Sequence, residues 1–279
     1  MYGNAPKELW KRWSKPDELN RINLQCRSLL VEEDWQDSQR RVLLETGVGL
    51  CFPPELQKRY GIEGDTHMLL DQLKSLNFDQ SAIDVVVLSH LHFDHAGGLL
   101  SPYKSGMEQH LLFPNATYVV SEKQWNRAIQ PHLRDRASYL PHLHKLLEAS
   151  GRLYIVEDGR EKVENLLGPD YSFSYSDGHT PGLMLTKVAL PSSQFSFSSI
   201  TFCADLIPGL PWVRAPITMG YDRYPELLIN EKQQLLKEVQ AASGALFFTH
   251  DEQSAGCTLQ MDDKGNISAQ EIFGEFRSG

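Results

Sequence analysis

Apolar residues along this chain switch between two periods, the alternation that suits strands and the three-to-four spacing that suits helices. Strand-like runs stand at Ile22–Val31, Arg40–Leu44, Thr117–Val120, Arg152–Val156, Tyr171–Tyr175, Leu183–Leu190, Ser198–Ala204 and Ala245–Thr249. Glu32–Gln39 is expected as a polar turn between the first two, and the β-branched run Val85-Val86-Val87 as a buried strand. Helical spacing puts Leu69, Leu73 and Leu76 on one face of a helix over Thr66–Leu76. Further helices are expected from near Asp94, after a capping Ser121, over Ser138–Ala149 and over Glu226–Ala242. A closing hairpin turns at Asp263-Lys264-Gly265-Asn266. Strands and helices interspersed in this way predict an α/β or α+β fold.

Residues 1–20 read as an arm with Trp10 and Trp13 as anchors, and 21–279 as one large domain with ample core. No repeat or low-complexity tract interrupts it. Leu99–Pro114 reads as a loop. Leu206–Pro225 carries four prolines and little periodicity, as a pocket wall often does.

The chemistry concentrates just past the Val85-Val86-Val87 strand. His90-Leu91-His92-Phe93-Asp94-His95 holds four potential metal ligands in six residues. In extended backbone His90 and His92 point the same way and can share an ion. Gly97-Gly98 permits a sharp turn into a helix, which aims Asp94 and His95 elsewhere, so two neighbouring metal positions are expected. A lone histidine here would be ordinary packing, and a lone Asp94 a helix cap. Burying all four without a metal would leave polar groups short of partners, at roughly 1–3 kcal/mol each.

With Ser89 before it and Ala96-Gly97-Gly98 after it, this motif resembles the signature of the metallo-β-lactamase superfamily. The resemblance implies a four-layer αβ/βα sandwich with its metal site at one edge of two sheets. It implies three further ligands at strand ends: His179 within Asp177-Gly178-His179-Thr180-Pro181-Gly182, Asp205 after Ile200–Ala204, and His250 after Ala245–Thr249. By the same resemblance His90, His92 and His179 hold one divalent ion, and Asp94, His95 and His250 a second. Asp205 bridges them, and Asp94 and Asp205 are the carboxylates on which catalysis rests. Zinc is the expected metal, and Mn, Fe or Co also suit such donors. Where the superfamily usually carries an Asp-Thr-Gly turn, this chain has Glu45-Thr46-Gly47. Glu45 is expected to accept a hydrogen bond from a ligand histidine and fix its tautomer; Asp251, beside His250, is given a similar supporting part.

Composition narrows the partners. A hydrophobic content of 41% and a charged content of 23% are ordinary for a globular protein. A formal net charge of −9 argues against a nucleic-acid partner, which needs a basic footprint. No stretch has the apolar length of a membrane span. Cys26, Cys51, Cys203 and Cys257 form no C-x-x-C pair and read as buried thiols of a reducing compartment. The expected location is cytoplasmic. Relatives usually place a further strand ahead of Pro6-Lys7-Glu8-Leu9-Trp10, so a lost leader stays compatible with this reading, as does a homodimer.

The branches of the superfamily differ in what they add. Only 29 residues follow His250 (279 − 250), too few for the helical domain of a glyoxalase II, and neither a flavin domain nor a basic RNA-binding arm is evident. The resemblance extends instead, through Tyr221-Asp222-Arg223-Tyr224-Pro225 and His250-Asp251, to the branch of N-acyl-homoserine lactone lactonases and methyl parathion hydrolase. It implies a dinuclear hydrolase that opens a hydrophobic lactone or ester with a metal-bridging hydroxide. Phe93, Trp212, Tyr221 and Tyr224 are candidate pocket walls. A leaving-group tyrosine found in one lactonase subgroup is replaced here by Pro208. A phosphotriester hydrolase stays open beside the lactonase, as does a non-hydrolytic iron-dependent protein.

Overall fold

Two consecutive residues with left-handed backbones, Gln36 (φ 48°) and Asp37 (φ 66°), close the first hairpin. Positive φ at both central positions is what a tight two-residue connection between twisted strands requires. The hairpin therefore turns within two residues, and Glu32–Gln39 is strand rather than turn. β1 runs over Leu29–Trp35 and β2 over Ser38–Leu44, paired antiparallel from Leu29↔Leu44 to Trp35↔Ser38. Two of the acidic residues that suggested a turn are neutralised across the ladder. Arg40 pairs with Glu33 at 2.6 Å and Arg41 with Glu32 at 3.1 Å, the opposite-charge arrangement that stabilises adjacent strands. Ile22–Ser28, expected as strand, lies outside β1.

The computed structural model describes residues 1–157, 165–191 and 193–276. Contacts divide the chain into two units, Ser28–Asp158 and Met1–Arg27 with Gly159–Gly279.

In the Ser28–Asp158 unit a five-stranded sheet has the order β1-β2-β3-β4-β5, with β3 at Val85–Val87, β4 at Thr117–Ser121 and β5 at Leu153–Val156. From β2 onward the strands are parallel. Its core gathers Leu43, Val86, Leu88, Phe113, Tyr118 and Leu147, all essentially inaccessible. α2 (Pro54–Tyr60) was not legible because it buries no residue fully. α3 (Met68–Ser75) buries Leu73, but Leu76 is its C-cap and 53% exposed, so the expected apolar face ends one turn early. Ser121 caps α5 (Glu122–Ile129) as expected, accepting from the Gln124 N–H at 3.3 Å. α6 spans Leu143–Ala149, starting later than Ser138. Pro141 disfavours a helical Leu140 before it.

In the other unit a six-stranded sheet has the order β11-β10-β9-β8-β7-β6. The strands are β6 (Tyr171–Ser176), β7 (Leu183–Ala189), β8 (Ser199–Phe202), β9 (Ala245–Phe247), β10 (Gly256–Met261) and β11 (Ile267–Phe273), with only β8 and β9 parallel. α7 (Pro225–Ala241) turns Leu228, Leu235, Leu236 and Val239 inward. The arm, which includes α1 (Lys7–Trp10), is anchored through its aromatics: Tyr2 stacks on Trp10 at 5.4 Å and on Trp212 at 4.5 Å. Two mixed sheets with helices agree with the expected α/β class. All four cysteines are free, with Cys26 half-buried rather than buried. Among the described residues no helix is long and apolar enough to cross a membrane.

Candidate metal centre

Each unit presents its own set of donors. In the Ser28–Asp158 unit, β3 delivers the chain to Ser89-His90, and α4 (Phe93–Ala96) carries Asp94 and His95. The His90 ring lies 4.5 Å from that of His92 and 4.0 Å from that of His95. The three rings are thus close neighbours. All three imidazoles are buried, and Asp94 is partly exposed.

What packs the motif so tightly is the turn after β2. Gly98 approaches the Thr46 carbonyl so closely that an added Cβ would sit 2.1 Å from its oxygen. Gly97 is pressed likewise against the Val48 carbonyl. The Thr46 N–H donates to the His95 carbonyl at 3.0 Å and the Gly98 N–H to that of Gly47 at 2.8 Å. The two glycines are thus demanded by backbone contact.

Glu45 sits in this turn with φ 64°, a strained conformation for a residue with a side chain, of the kind held at functional sites. It is buried, and its carboxylate accepts from His95 Nδ1 at 2.7 Å. It also accepts from the Ser89 hydroxyl, whose oxygen in turn lies 2.9 Å from His90 Nδ1. One carboxylate so orients two imidazoles, one directly and one through Ser89. Glu45 falls within 4.8 Å of His90 and His95 as a potential donor itself, but both its oxygens are already engaged. Glu45→Gln is expected to weaken metal affinity about 10–100-fold, the range for groups that support ligands. Competition against a chromophoric chelator measures it, and wild-type affinity would reduce Glu45 to a turn residue.

His92 is held differently. Its ring meets Tyr139 edge-on at 4.9 Å, and the Tyr139 hydroxyl donates to the buried Gln124 side chain at 3.0 Å. Neither residue was legible in the sequence, since a glutamine inside an amphipathic helix carries no signal of this role.

In the second unit Asp205 lies between two histidines. His179 Nε2 is 3.1 Å from one of its oxygens and His250 Nε2 is 3.0 Å from the other. Ala204, just before it, has φ 42°, a second strained position at the candidate site. The far nitrogens are also held: His179 Nδ1 by Asp222 at 2.9 Å, and His250 Nδ1 by the Gln25 carbonyl at 2.6 Å. Burial disfavours charge on His250, but Asp205 and Cys26 outweigh it and raise the imidazole's pKa well above its ordinary value. Asp251 ties the surrounding loops, accepting from the N–H groups of Leu210 at 2.8 Å and Ser254 at 2.8 Å. His250 itself donates its N–H to the Pro208 carbonyl at 2.8 Å.

The donors fit a divalent ion by their chemistry. They are imidazole nitrogens and carboxylate oxygens, mostly buried, and four of the imidazoles have Nδ1 occupied from behind so that Nε2 is left as the ligating atom. The chain's histidine and aspartate donors are positioned for a metal site.

The aromatic candidates have different immediate surroundings. Phe93 packs on Phe52 at 5.1 Å and Tyr60 at 4.7 Å. Trp212 is buried and lines a pocket of about 390 Å³ with Trp13, Ile22, Leu24, His250 and Ile272. Tyr221 and Tyr224 are 64% and 50% exposed and do not line it.

Lys232, on the inward face of α7, is fully buried, and burial drives its pKa down to about 7, with Asp222 partly opposing. Its unfolded value is near 10.4, so between about pH 7 and 10 the unfolded chain binds the extra proton. Stability should therefore rise with pH across that window and lack this contribution below it. Denaturant unfolding at pH 7 and pH 9.5, at fixed metal content, should show the rise in wild type and not in Lys232→Met. Equal slopes in the two proteins would refute it.

Comparison with known proteins gives the family and the fold. The family model described as the metallo-beta-lactamase superfamily matches residues 21–250. The N-acyl homoserine lactonase AttM of Rhizobium radiobacter is 29% identical over 157 residues, 52% of this chain and 49% of that protein. AiiA of Bacillus thuringiensis subsp. kurstaki, also an N-acyl homoserine lactonase, is 26% identical over 192 residues, 68% of this chain and 65% of its own. The matches thus span from about half to just under two thirds of these relatives' length. A probable metal-dependent hydrolase from Staphylococcus aureus has a similar structure, with TM-score 0.81 at 26% identity, covering 99% of this chain and 92% of its own. The dizinc quorum-quenching lactonase AidC, solved with a product, shares the fold at TM-score 0.67 and 20% identity, covering 90% and 81%.

Proposed function

The chain belongs to the metallo-beta-lactamase superfamily, and from that premise we propose that it is a metal-dependent hydrolase whose two donor sets together hold two divalent ions and open a hydrophobic lactone. His90, His92 and His179 serve one ion, Asp94, His95 and His250 the other, and Asp205 both. The observation that carries this reading is the support behind the imidazoles: Ser89, Glu45, Asp222 and the Gln25 carbonyl each engage an Nδ1. Such backing fixes the tautomer and raises donor strength, and packing alone gives no reason for it at four histidines. A histidine Nε2 near each oxygen of Asp205 supports its proposed part as the carboxylate shared by two positions.

Two divalent ions, when bound, supply a water nucleophile activated at neutral pH and a Lewis acid for the developing oxyanion. The chain's residues do the rest. Asp205 contributes the negative charge that offsets two cations. Glu45 and Asp222 hold the imidazoles against rotation, and burial keeps competing water from them. The pocket beside His250 offers Trp212, Ile22 and Leu24 to an apolar substituent. The net charge of −9 disfavours polyanionic substrates. The named activity of AttM and AiiA supports a lactone as substrate.

A homoserine lactone series tests this. kcat/KM should rise with acyl length, by up to about 0.8 kcal/mol for each methylene buried. A flat response, or preference for a phosphotriester over every lactone tried, rejects the lactone reading.

A further inference from the structure

Lys232 is out of place by pattern. It lies four residues after Leu228 and three and four before Leu235 and Leu236, on the stripe that α7 buries. A fully buried lysine on such a stripe is rare unless its charge and donors are used. Its Nζ donates to the Ile217 carbonyl at 2.6 Å and lies 3.5 Å from that of Arg214. The segment so gripped leads directly to Asp222, whose other oxygen accepts from the Met219 N–H at 2.6 Å.

The neighbouring Glu231 acts on the other side. It accepts from the Ser176 hydroxyl at 2.6 Å and from the N–H groups of Asp177 at 2.9 Å and Gly178 at 3.1 Å. The turn bearing His179 is pressed onto the helix here: a Cβ on Gly178 would lie 2.5 Å from the Leu228 Cα. The two gripped segments are also stitched to each other, Tyr224 N–H to the Gly178 carbonyl at 2.8 Å and Arg223 N–H to that of His179 at 3.2 Å. One helix therefore sets a carboxylate on the donors of one turn and an amine on the acceptors of the next. These are the turns that supply His179 and the carboxylate behind it.

We propose that Glu231 and Lys232 are positioning residues, a two-sided clamp that sets the His179–Asp222 hydrogen bond and through it the affinity of the metal position His179 serves. The effect on metal rests on the functional reading above; the effect on the hydrogen bond does not. The low pKa of Lys232 leaves the clamp intact, because a neutral amine still donates to the two carbonyls.

The test uses Glu231→Gln, Lys232→Met and, as a control on the exposed face of the same helix, Gln234→Ala. In metal-free protein the His179 Nδ1–H resonance should shift and exchange faster in both clamp variants and stay unchanged in the control. On reloading with zinc, one metal position should weaken about 10–100-fold and the other should hold its affinity. Lys232→Met removes a buried charge, so loss of fold at neutral pH is not expected to mask the effect. An unchanged His179 resonance in both variants overturns the clamp, whatever the metal does. Equal weakening of both positions in step with lost stability would reduce it to ordinary packing. A wild-type protein that binds fewer than two ions, with the resonance behaving as expected, would refute the dinuclear reading and leave the clamp standing.

Discussion

Asp205→Asn is expected to lower turnover by more than about 100-fold, beyond the 10–100-fold range of groups that only support ligands, in a protein that still folds. The substitution keeps the shape of the side chain and removes its charge. Asp205 now faces His179 Nε2 at 3.1 Å and His250 Nε2 at 3.0 Å, the nitrogens that remain for metal once each Nδ1 is engaged. An asparagine offers one oxygen and one N–H₂, so one of these positions would meet a donor where it needs an acceptor. Circular dichroism should show a native fold while steady-state kinetics show the loss. Full activity with full metal content would remove Asp205 from the bridging role.

Removing metal is expected to abolish hydrolysis and to destabilise the fold together. The donors are mostly buried, and the carboxylates among them gain from cations that only the folded chain can gather. A ligand at 1,000 times its Kd stabilises by about 4 kcal/mol, and a kilocalorie moves the midpoint of a chain this size by about 2–4 °C. Exhaustive chelation should thus lower the unfolding temperature by roughly 10 °C or more, with recovery on adding zinc. A chelated protein with unchanged midpoint and unchanged hydrolysis would exclude a metal role.

Much of the candidate site was legible because its residues are close in sequence or end a strand. His90, His92 and His95 declare themselves by spacing, and His179, Asp205 and His250 by their place after strand-like runs. Glu45 was legible only as a departure from a familiar turn; its φ of 64° and its reach to both His95 and Ser89 needed coordinates. Asp222 lay inside a motif noted for resemblance, yet nothing local links it to His179, 43 residues earlier. Gln124 and Lys232 were invisible for a sharper reason. Each is one polar residue in a helix, and periodicity treats such a residue as a solvent-facing position until burial shows otherwise.

The strands were largely legible, and the first hairpin shows where the reading broke. Glu32-Glu33-Asp34 resembles a polar turn until Arg41 and Arg40 are seen opposite Glu32 and Glu33, a pairing nine and seven residues apart that follows from the hairpin register and not from composition. The surroundings of the aromatic candidates were not legible either. Aromatic residues mark burial or exposure equally well in sequence, and Tyr221 and Tyr224 are exposed while Trp212 is stacked on Tyr2.

Elemental analysis of protein purified without chelator bears most directly on the proposal of two metal positions sharing Asp205. Two divalent ions per chain, falling to one or fewer in Asp205→Asn, is the expected result. A single ion per chain that does not rise on metal supplementation would contradict it.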